Sequence, residues 1–156
     1  MSLRAARELA KQRQGRLSSV LASEPYNSLL KDRYVRFTPQ TANTFYTIAC
    51  GDKGIVKPNT TPSGVVFGDG SFLNVYEKRS VQDDTLLEYT HHYQVPDGLS
   101  IRFDKDSDNA SPSHPEHHLQ TSRIGKDIRL PTGEVSCEQI LELIFEQFVG
   151  PKYDGS

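Results

Sequence analysis

An α+β domain is the fold class that this 156-residue sequence predicts. Three observations predict it: runs of strand formers broken by glycine turns through the middle, a helix-forming stretch before them, and an apolar stripe at helical spacing after them. The expected architecture is an antiparallel β-meander of about five or six strands, with an N-terminal helix and a C-terminal amphipathic helix packed on one face. The length suits a single domain over 1–156, with a basic helix at 1–22, a sheet region at 32–130 and a closing helix at 135–149.

The first helix has apolar positions at Leu3, Ala6, Leu9, Ala10, Leu17, Val20 and Leu21 and a weak point at Gly15. Glu24-Pro25 ends it, because the residue before a proline is pushed out of the helical region. Arg4, Arg7, Lys11, Arg13 and Arg16 stand against Glu8 alone, so residues 1–22 carry a local +4 and the remaining chain −6, for a total of −2. Such an arm on an acidic body suits a phosphate or partner contact as well as it suits a solvated helix face.

"RYVRF" at 33–37 and "TFYTIAC" at 44–50 are rich in β-branched and aromatic residues and read as strands. "GDKGIVKPNTTPSG" at 51–64 has three glycines and two prolines without periodicity and reads as a loop. "VVFGDGSFLNVYEKRS" then sets a Gly-Asp-Gly turn between strand formers, and "LLEYTHHYQVPDGLSIRFDKD" repeats the device around Pro96-Asp97-Gly98.

A three-residue loop with Gly98 in the left-handed position pairs Val95 with Leu99, His92 with Arg102 and Thr90 with Asp104. Leu87, Tyr89, His91, Tyr93 and Val95 then share a mostly apolar face with Leu99, Ile101 and Phe103. Thr90, His92 and Gln94 share a polar face with Ser100, Arg102 and Asp104. Beyond an unpatterned stretch at 105–122, Ile124, Ile128 and Leu130 suggest one more short strand. In the last helix Cys137, Ile140, Leu141, Ile144, Phe145, Phe148 and Val149 form one stripe, with Glu138, Glu142 and Glu146 outside it. Ser136 and Gln139 form a capping box, and Gly150-Pro151 stops the helix.

Several function classes are set aside on composition. Nothing approaches the run of roughly 18 apolar residues that a membrane span needs, and no signal-peptide core opens the chain, so a cytoplasmic protein is expected. Cys50 and Cys137 have no CxxC spacing, which argues for two small core residues and against a disulfide framework or zinc knuckle. A net charge of −2 does not suit a protein that grips nucleic acid with its whole surface.

All five histidines fall between positions 91 and 118. His92 beside Arg102 is the constellation that carries chemistry. An imidazole exchanges protons near neutral pH, and a guanidinium stabilises the charge of a phosphorane-like transition state. RNA cleavage through the 2′-hydroxyl needs only such parts and no metal. Glu77 or Glu88 could orient an imidazole, and Tyr76, Tyr89 or Tyr93 could offer a stacking surface for bases. The plain alternative is a solvent-facing surface on which His92, Arg102 and Asp104 pair across strands for roughly 0.2 to 1 kcal/mol each. His91 faces the apolar side, where a half-buried ring with one satisfied nitrogen is expected. His114, His117 and His118 follow Pro112 and flank Pro115, which makes them a loop. A loop can still supply ligands, so His114 and His118 with Asp104, Asp106 or Asp108 would form a two-His-one-carboxylate site.

The run "DGSFLNVYEKRSVQDDTLLEYTHHYQVPDGLSIRFDKD", followed by "SPSHPEHHLQ" and an acidic amphipathic helix, resembles the TumE-type toxins of two-gene toxin–antitoxin modules over about residues 69–148. The resemblance implies an intracellular toxin that acts as a ribonuclease and is silenced by a cognate antitoxin. Carried over position by position, the family glutamate is Glu77, its aromatic and histidine strand is Tyr89, His91, His92 and Tyr93, and its basic-acidic pair is Arg102 and Asp104. Its loop histidines are His114, His117 and His118. Thr90 stands where an aromatic is usual and Phe103 where tyrosine is usual.

The expected function is therefore an endoribonuclease-like toxin. His92, Arg102, Asp104, Glu77 and His118 would be catalytic, and Tyr89, Tyr93, His114 and His117 would bind substrate, without a metal or other cofactor. Its partners would be RNA, an antitoxin protein and, in one reading, a second copy in a homodimer. The alternatives are a non-catalytic protein-interaction module and a metal-dependent hydrolase built on the HxxHH segment.

Overall fold

The computed structural model describes residues 3–32, 35–51, 62–105, 116–123 and 126–150. Helix α1 runs over Leu3–Ala22 without a break at Gly15, followed by the short α2 at Tyr26–Leu29. Among the described residues eight strands follow: β1 (Thr38–Thr41), β2 (Phe45–Cys50), β3 (Val65–Val66), β4 (Phe72–Ser80), β5 (Leu86–Gln94), β6 (Ser100–Lys105), β7 (His117–Arg123) and β8 (Lys126–Pro131). Helix α3 (Cys137–Ile144) opens on the Ser136/Gln139 capping box and continues as a π-helical turn over Phe145–Val149.

One antiparallel sheet has the order β1-β2-β4-β5-β6-β7-β8, with β3 also paired to β4. The class is α+β, as the alternation of turns and strand formers predicts. Strands β2 and β3 lie end to end along the same edge of β4. Cys50 pairs with Val75 and Val65 with Leu73, so the chain leaves the ladder opposite Asn74 and returns to it.

The β5–β6 hairpin has the predicted three-residue tip, in which Val95 N–H donates to the Leu99 carbonyl at 2.9 Å and Gly98 has φ +96°. His92 pairs with Arg102 and Thr90 with Asp104. The Gly-Asp-Gly turn also forms, with Asp69 Oδ1 accepting from the Ser71 backbone at 2.9 Å.

Three expectations are corrected. In "RYVRF", residues 33 and 34 lie outside the described residues and Val35–Phe37 form no strand; the edge begins at Thr38–Thr41 instead. Pro39 is tolerated there because one side of an edge strand has no ladder partner. Leu87 is 41% exposed, since the β4–β5 register shifts between Lys78 and Arg79 and pairs Arg79 with Leu86. That bulge turns Leu86 inward in its place. Residues 117–122 are strand, with His117 opposite Lys105 and His118 opposite Asp104, so two of the HxxHH histidines are in the sheet. His114 lies outside the described residues.

Both long helices cover one face. Ala6, Ala10, Leu17 and Leu21 of α1 and Cys137, Ile140, Leu141 and Ile144 of α3 form a core with Tyr46, Ile48, Val75 and Tyr93. Tyr93 meets Phe148 with ring centroids 5.2 Å apart. Cys50 and Cys137 are buried, free thiols, and burial raises the Cys50 pKa to about 11. No helix among the described residues is long and apolar enough to cross a membrane.

Candidate active site

The alternation of side chains along β4, β5, β6 and β7 sorts the predicted site residues onto two faces. On the helix side Glu77 pairs with Tyr89, and Tyr89 with Lys105, which in turn faces His117. On the other side two rows cross four strands. One row is Asn74, His92, Arg102 and Gln120; the next is Tyr76, Thr90 and Asp104, with residue His118 of β7 opposite Asp104 in register. Glu77, Tyr89, Tyr93 and His117 therefore do not join His92, Arg102 and Asp104 in one cluster.

The helix side is occupied by a closed charge network. Glu77, fully buried, accepts from Arg13 Nε at 2.5 Å, Arg13 Nη2 at 3.1 Å and Arg79 Nε at 3.0 Å. The Arg13 guanidinium also donates to both oxygens of Glu138, at 2.7 and 2.8 Å. Burial alone pushes Glu77 and Glu138 up, but the hydrogen bonds and charge of Arg13 outweigh it. Glu77 is held below its ordinary value and Glu138 at about 2. Arg13 is carried upward by the same bonds against its own burial. An open pocket of about 320 Å³ lies beside this network, where Arg13, Arg16, Arg79, Asp84 and Glu138 line it.

Glu77 is thus an anchor for α1 and α3, not an orienting partner for the ring of His92. Tyr89 and Tyr93 are 0% and 2% exposed, so they pack the interior and offer bases no stacking surface. The Tyr89 hydroxyl accepts from Val135 N–H at 3.2 Å and lies 3.0 Å from His117 Nδ1. His91, expected half-buried with one nitrogen satisfied, is fully buried and stacked on Tyr89 at 5.2 Å, and neither ring nitrogen has a hydrogen-bond partner. Burial lowers its pKa to about 4.

The far face is different in kind. His92 is 4% exposed and its two ring nitrogens are also without hydrogen bonds. Burial first, and the Arg102 charge second, lower its pKa to about 4, so the imidazole is neutral at physiological pH. Arg102 donates from Nε to Asp104 at 2.7 Å and from Nη2 to Gln120 at 2.6 Å. The expected pairing across strands therefore takes another form. The ion pair runs along β6, and His92 is left out of it. Arg102, Thr90 and Gln120 are partly exposed, while Asn74 and His92 are buried. A neutral ring able to accept a proton, next to a fixed guanidinium, is equipped for proton transfer at an anionic centre. Among the described residues no group of three or more side chains is arranged to hold a metal ion. His114, Asp106 and Asp108 of the proposed metal set lie outside them.

Arg13, Arg79, Glu138, Asn74 and Gln120 were not singled out by the sequence. Arg13 had a visible signal, because it falls in the stripe of Ala6, Ala10, Leu17 and Leu21 where an apolar residue belongs. Glu77 gave its complement, a carboxylate at an inward position of a strand.

A family model described as "Toxin TumE" matches residues 37–148, most of the chain. No curated protein and no solved structure matches the chain.

Proposed function

We propose, on the premise that this chain belongs to the TumE toxin family, the toxins of toxin–antitoxin modules with a cognate antitoxin as partner, that it acts as an endoribonuclease. Its reaction centre is the face of β5 and β6 that carries His92, Arg102 and Asp104. The observation that carries this reading is the buried ring of His92, with both nitrogens unbonded, in register with Arg102. In the reaction His92 takes the proton of the ribose 2′-hydroxyl as its oxygen attacks phosphorus. Arg102 stabilises the phosphorane charge, and the bond to the 5′-oxygen breaks. His118, opposite Asp104 in register, is the second imidazole and returns a proton to that leaving oxygen.

The low basicity of His92 is compatible with this role. Burial depresses the ring most and Arg102 adds to it; a bound phosphodiester offsets the guanidinium charge and so raises the imidazole. Asp104 holds the guanidinium in place through its bond to Nε.

Induced expression of wild type, His92→Ala and Arg102→Ala, with growth and total RNA followed together, tests the reading. Wild type should arrest growth with fragmented RNA. Each variant should lose about 10² to 10⁴ in cleavage rate while it remains folded. A folded variant that stays fully toxic removes His92 or Arg102 from the centre. Intact RNA and unimpeded growth with folded wild-type protein favour the reading in which this face docks a partner protein.

A further inference from the structure

We propose that Asn74 is a positioning residue of this site, whose side-chain amide donates a hydrogen bond to a phosphodiester oxygen of RNA bound across His92 and Arg102. The inference rests on the endoribonuclease reading for the identity of the ligand, and on independent geometry for the residue.

Three observations place Asn74. It is the first member of the row that continues through His92, Arg102 and Gln120, so it flanks His92 on the side opposite Arg102. Neighbouring strands lie about 4.8 Å apart, so a phosphate seated over the His92 ring comes within reach of both flanking side chains. Second, Asn74 is 3% exposed and its Nδ2 has no hydrogen-bond partner, although a buried amide donor left unpaired costs free energy. The same holds for both nitrogens of His92 beside it. Third, the orientation of the amide is set from behind. Ser63 Oγ donates to Asn74 Oδ1 at 3.0 Å, which leaves the NH₂ group as the free end.

The backbone around it is shaped for this one side chain. Strand pairing to β4 is interrupted opposite Asn74, between Cys50 and Val65, and glycines stand on both sides of the gap. Gly51 and Gly64 have φ +81° and +80°, and a Cβ on either would collide with Asn74 Oδ1. Only glycine fits both the left-handed conformation and the space. The slot thus fixes a neutral donor next to a neutral imidazole, with the cation on the far side. A neutral donor holds a phosphate oxygen without depressing His92 further, as a second cation there would do.

The test is a nuclear magnetic resonance titration of the full-length wild-type chain with a 2′-O-methyl oligoribonucleotide, which has the phosphodiester backbone but no free 2′-hydroxyl and is not cleaved. The Asn74 NH₂ and the His92 ring resonances should shift together and saturate at the same concentration. Asn74→Asp, which keeps Oδ1 for Ser63 and removes the donor, should bind the oligonucleotide at least 10-fold more weakly. It should also lose about 100-fold in kcat/KM on RNA, with part of the loss in KM. If His92 shifts while the Asn74 amide does not, the inference is overturned and the endoribonuclease reading stands. If RNA is cleaved and neither resonance moves, both Asn74 and this face are excluded. If RNA is not cleaved but both shift, the nuclease reading falls and Asn74 stands as a backbone-binding residue. If RNA is not cleaved and neither shifts, both fail.

Discussion

His91 and His92 are neighbours on β5, yet they face opposite sides of the sheet, and the state of the ring itself is nearly the same for both. Each is nearly or fully buried, each has two unbonded nitrogens, and each is lowered to about 4 by burial. What differs is the company. His91 stacks on Tyr89 and pairs with Val75 and Phe103, whereas His92 pairs with Asn74 and Arg102. A buried, unbonded histidine therefore does not by itself mark a site; its neighbours across the strands decide what it can do. The two faces repeat the contrast on a larger scale. Beneath the helices the unbonded nitrogens of His91 and the Tyr93 hydroxyl lie among packed rings and a charge cluster, Arg13, Glu77 and Glu138, whose members bond one another, while on the far face the unbonded nitrogens of Asn74 and His92 stand in one row with a guanidinium.

The contrast is broken most severely by Glu77→Ala, which leaves Arg13 and Arg79 under the helices without their shared carboxylate. Removal of one partner from a buried ion pair costs about 3 to 5 kcal/mol. For a chain of this length that lowers the melting temperature by roughly 10 °C. Any RNA cleavage by the remaining folded protein should be unchanged, because Glu77 points away from His92. A melting temperature within a degree or two of wild type would mean that Arg13 finds another partner. Replacement of Arg13, Glu77 and Glu138 together by apolar residues of similar volume should recover most of the loss.

The pairing of His92 with Arg102 was legible in the sequence because turn length and side-chain alternation specify register together, and Pro96-Asp97-Gly98 permits one good choice. The bulge at Leu86 and Leu87 was not, since two adjacent leucines satisfy either face and only the neighbouring strand decides. Strand β7 was hidden because "HHLQTSR" has a single large apolar residue, Leu119, to show alternation. It is built by pairing to β6 and β8. The Arg13–Glu77 contact spans 64 positions, a distance over which sequence pattern gives complementary oddities but no address. The slot for Asn74 depends on two glycines brought together by a break in the ladder, and their backbone signs appear only in the folded chain.

An effect of similar size per residue falls on the pH dependence of stability. Both histidines have folded values near 4 against an ordinary 6.5, so below about pH 6.5 the unfolded chain takes up protons that the folded chain refuses. Their contribution is complete above pH 6.5 and is lost as pH falls toward 4, by roughly 3 kcal/mol for each ring. Glu77 and Glu138 are depressed, so their contribution is intact above about pH 4.5 and is lost below it, for Glu138 down to about pH 2. Denaturant unfolding at a series of pH values should show the histidine phase first. In His91→Phe that phase should shrink by about half. Stability that is flat between pH 6.5 and 4 would show that the rings have access to water.

At neutral pH His91→Phe should be neutral or stabilising by about 1 kcal/mol, because it removes two unbonded nitrogens from an apolar stack and keeps the ring. RNA cleavage should survive it. The same change at His92 should abolish cleavage whether or not stability rises. Parallel melts and cleavage assays of the two variants compare the neighbours directly, and equal activity in both would erase the distinction between the faces.

The smallest effect is expected at Arg16, three positions after Arg13 on the same helix and facing the same carboxylate. Arg16 Nε lies 3.4 Å from Glu138, but the side chain is 72% exposed, so water and salt screen the pair and the long chain loses entropy when it is held. Arg16→Ala should therefore cost no more than about 0.5 kcal/mol, and less at high salt. Arg13→Ala, which strips the buried carboxylate of Glu77 of its bidentate partner, should cost several times as much and depend little on salt. Melts of the two variants at low and high ionic strength check this. A large, salt-sensitive loss at Arg16 would mean that the edge of the network, not its buried centre, ties α1 to α3. In that case Glu138, which both arginines touch, would be the anchor in place of Glu77.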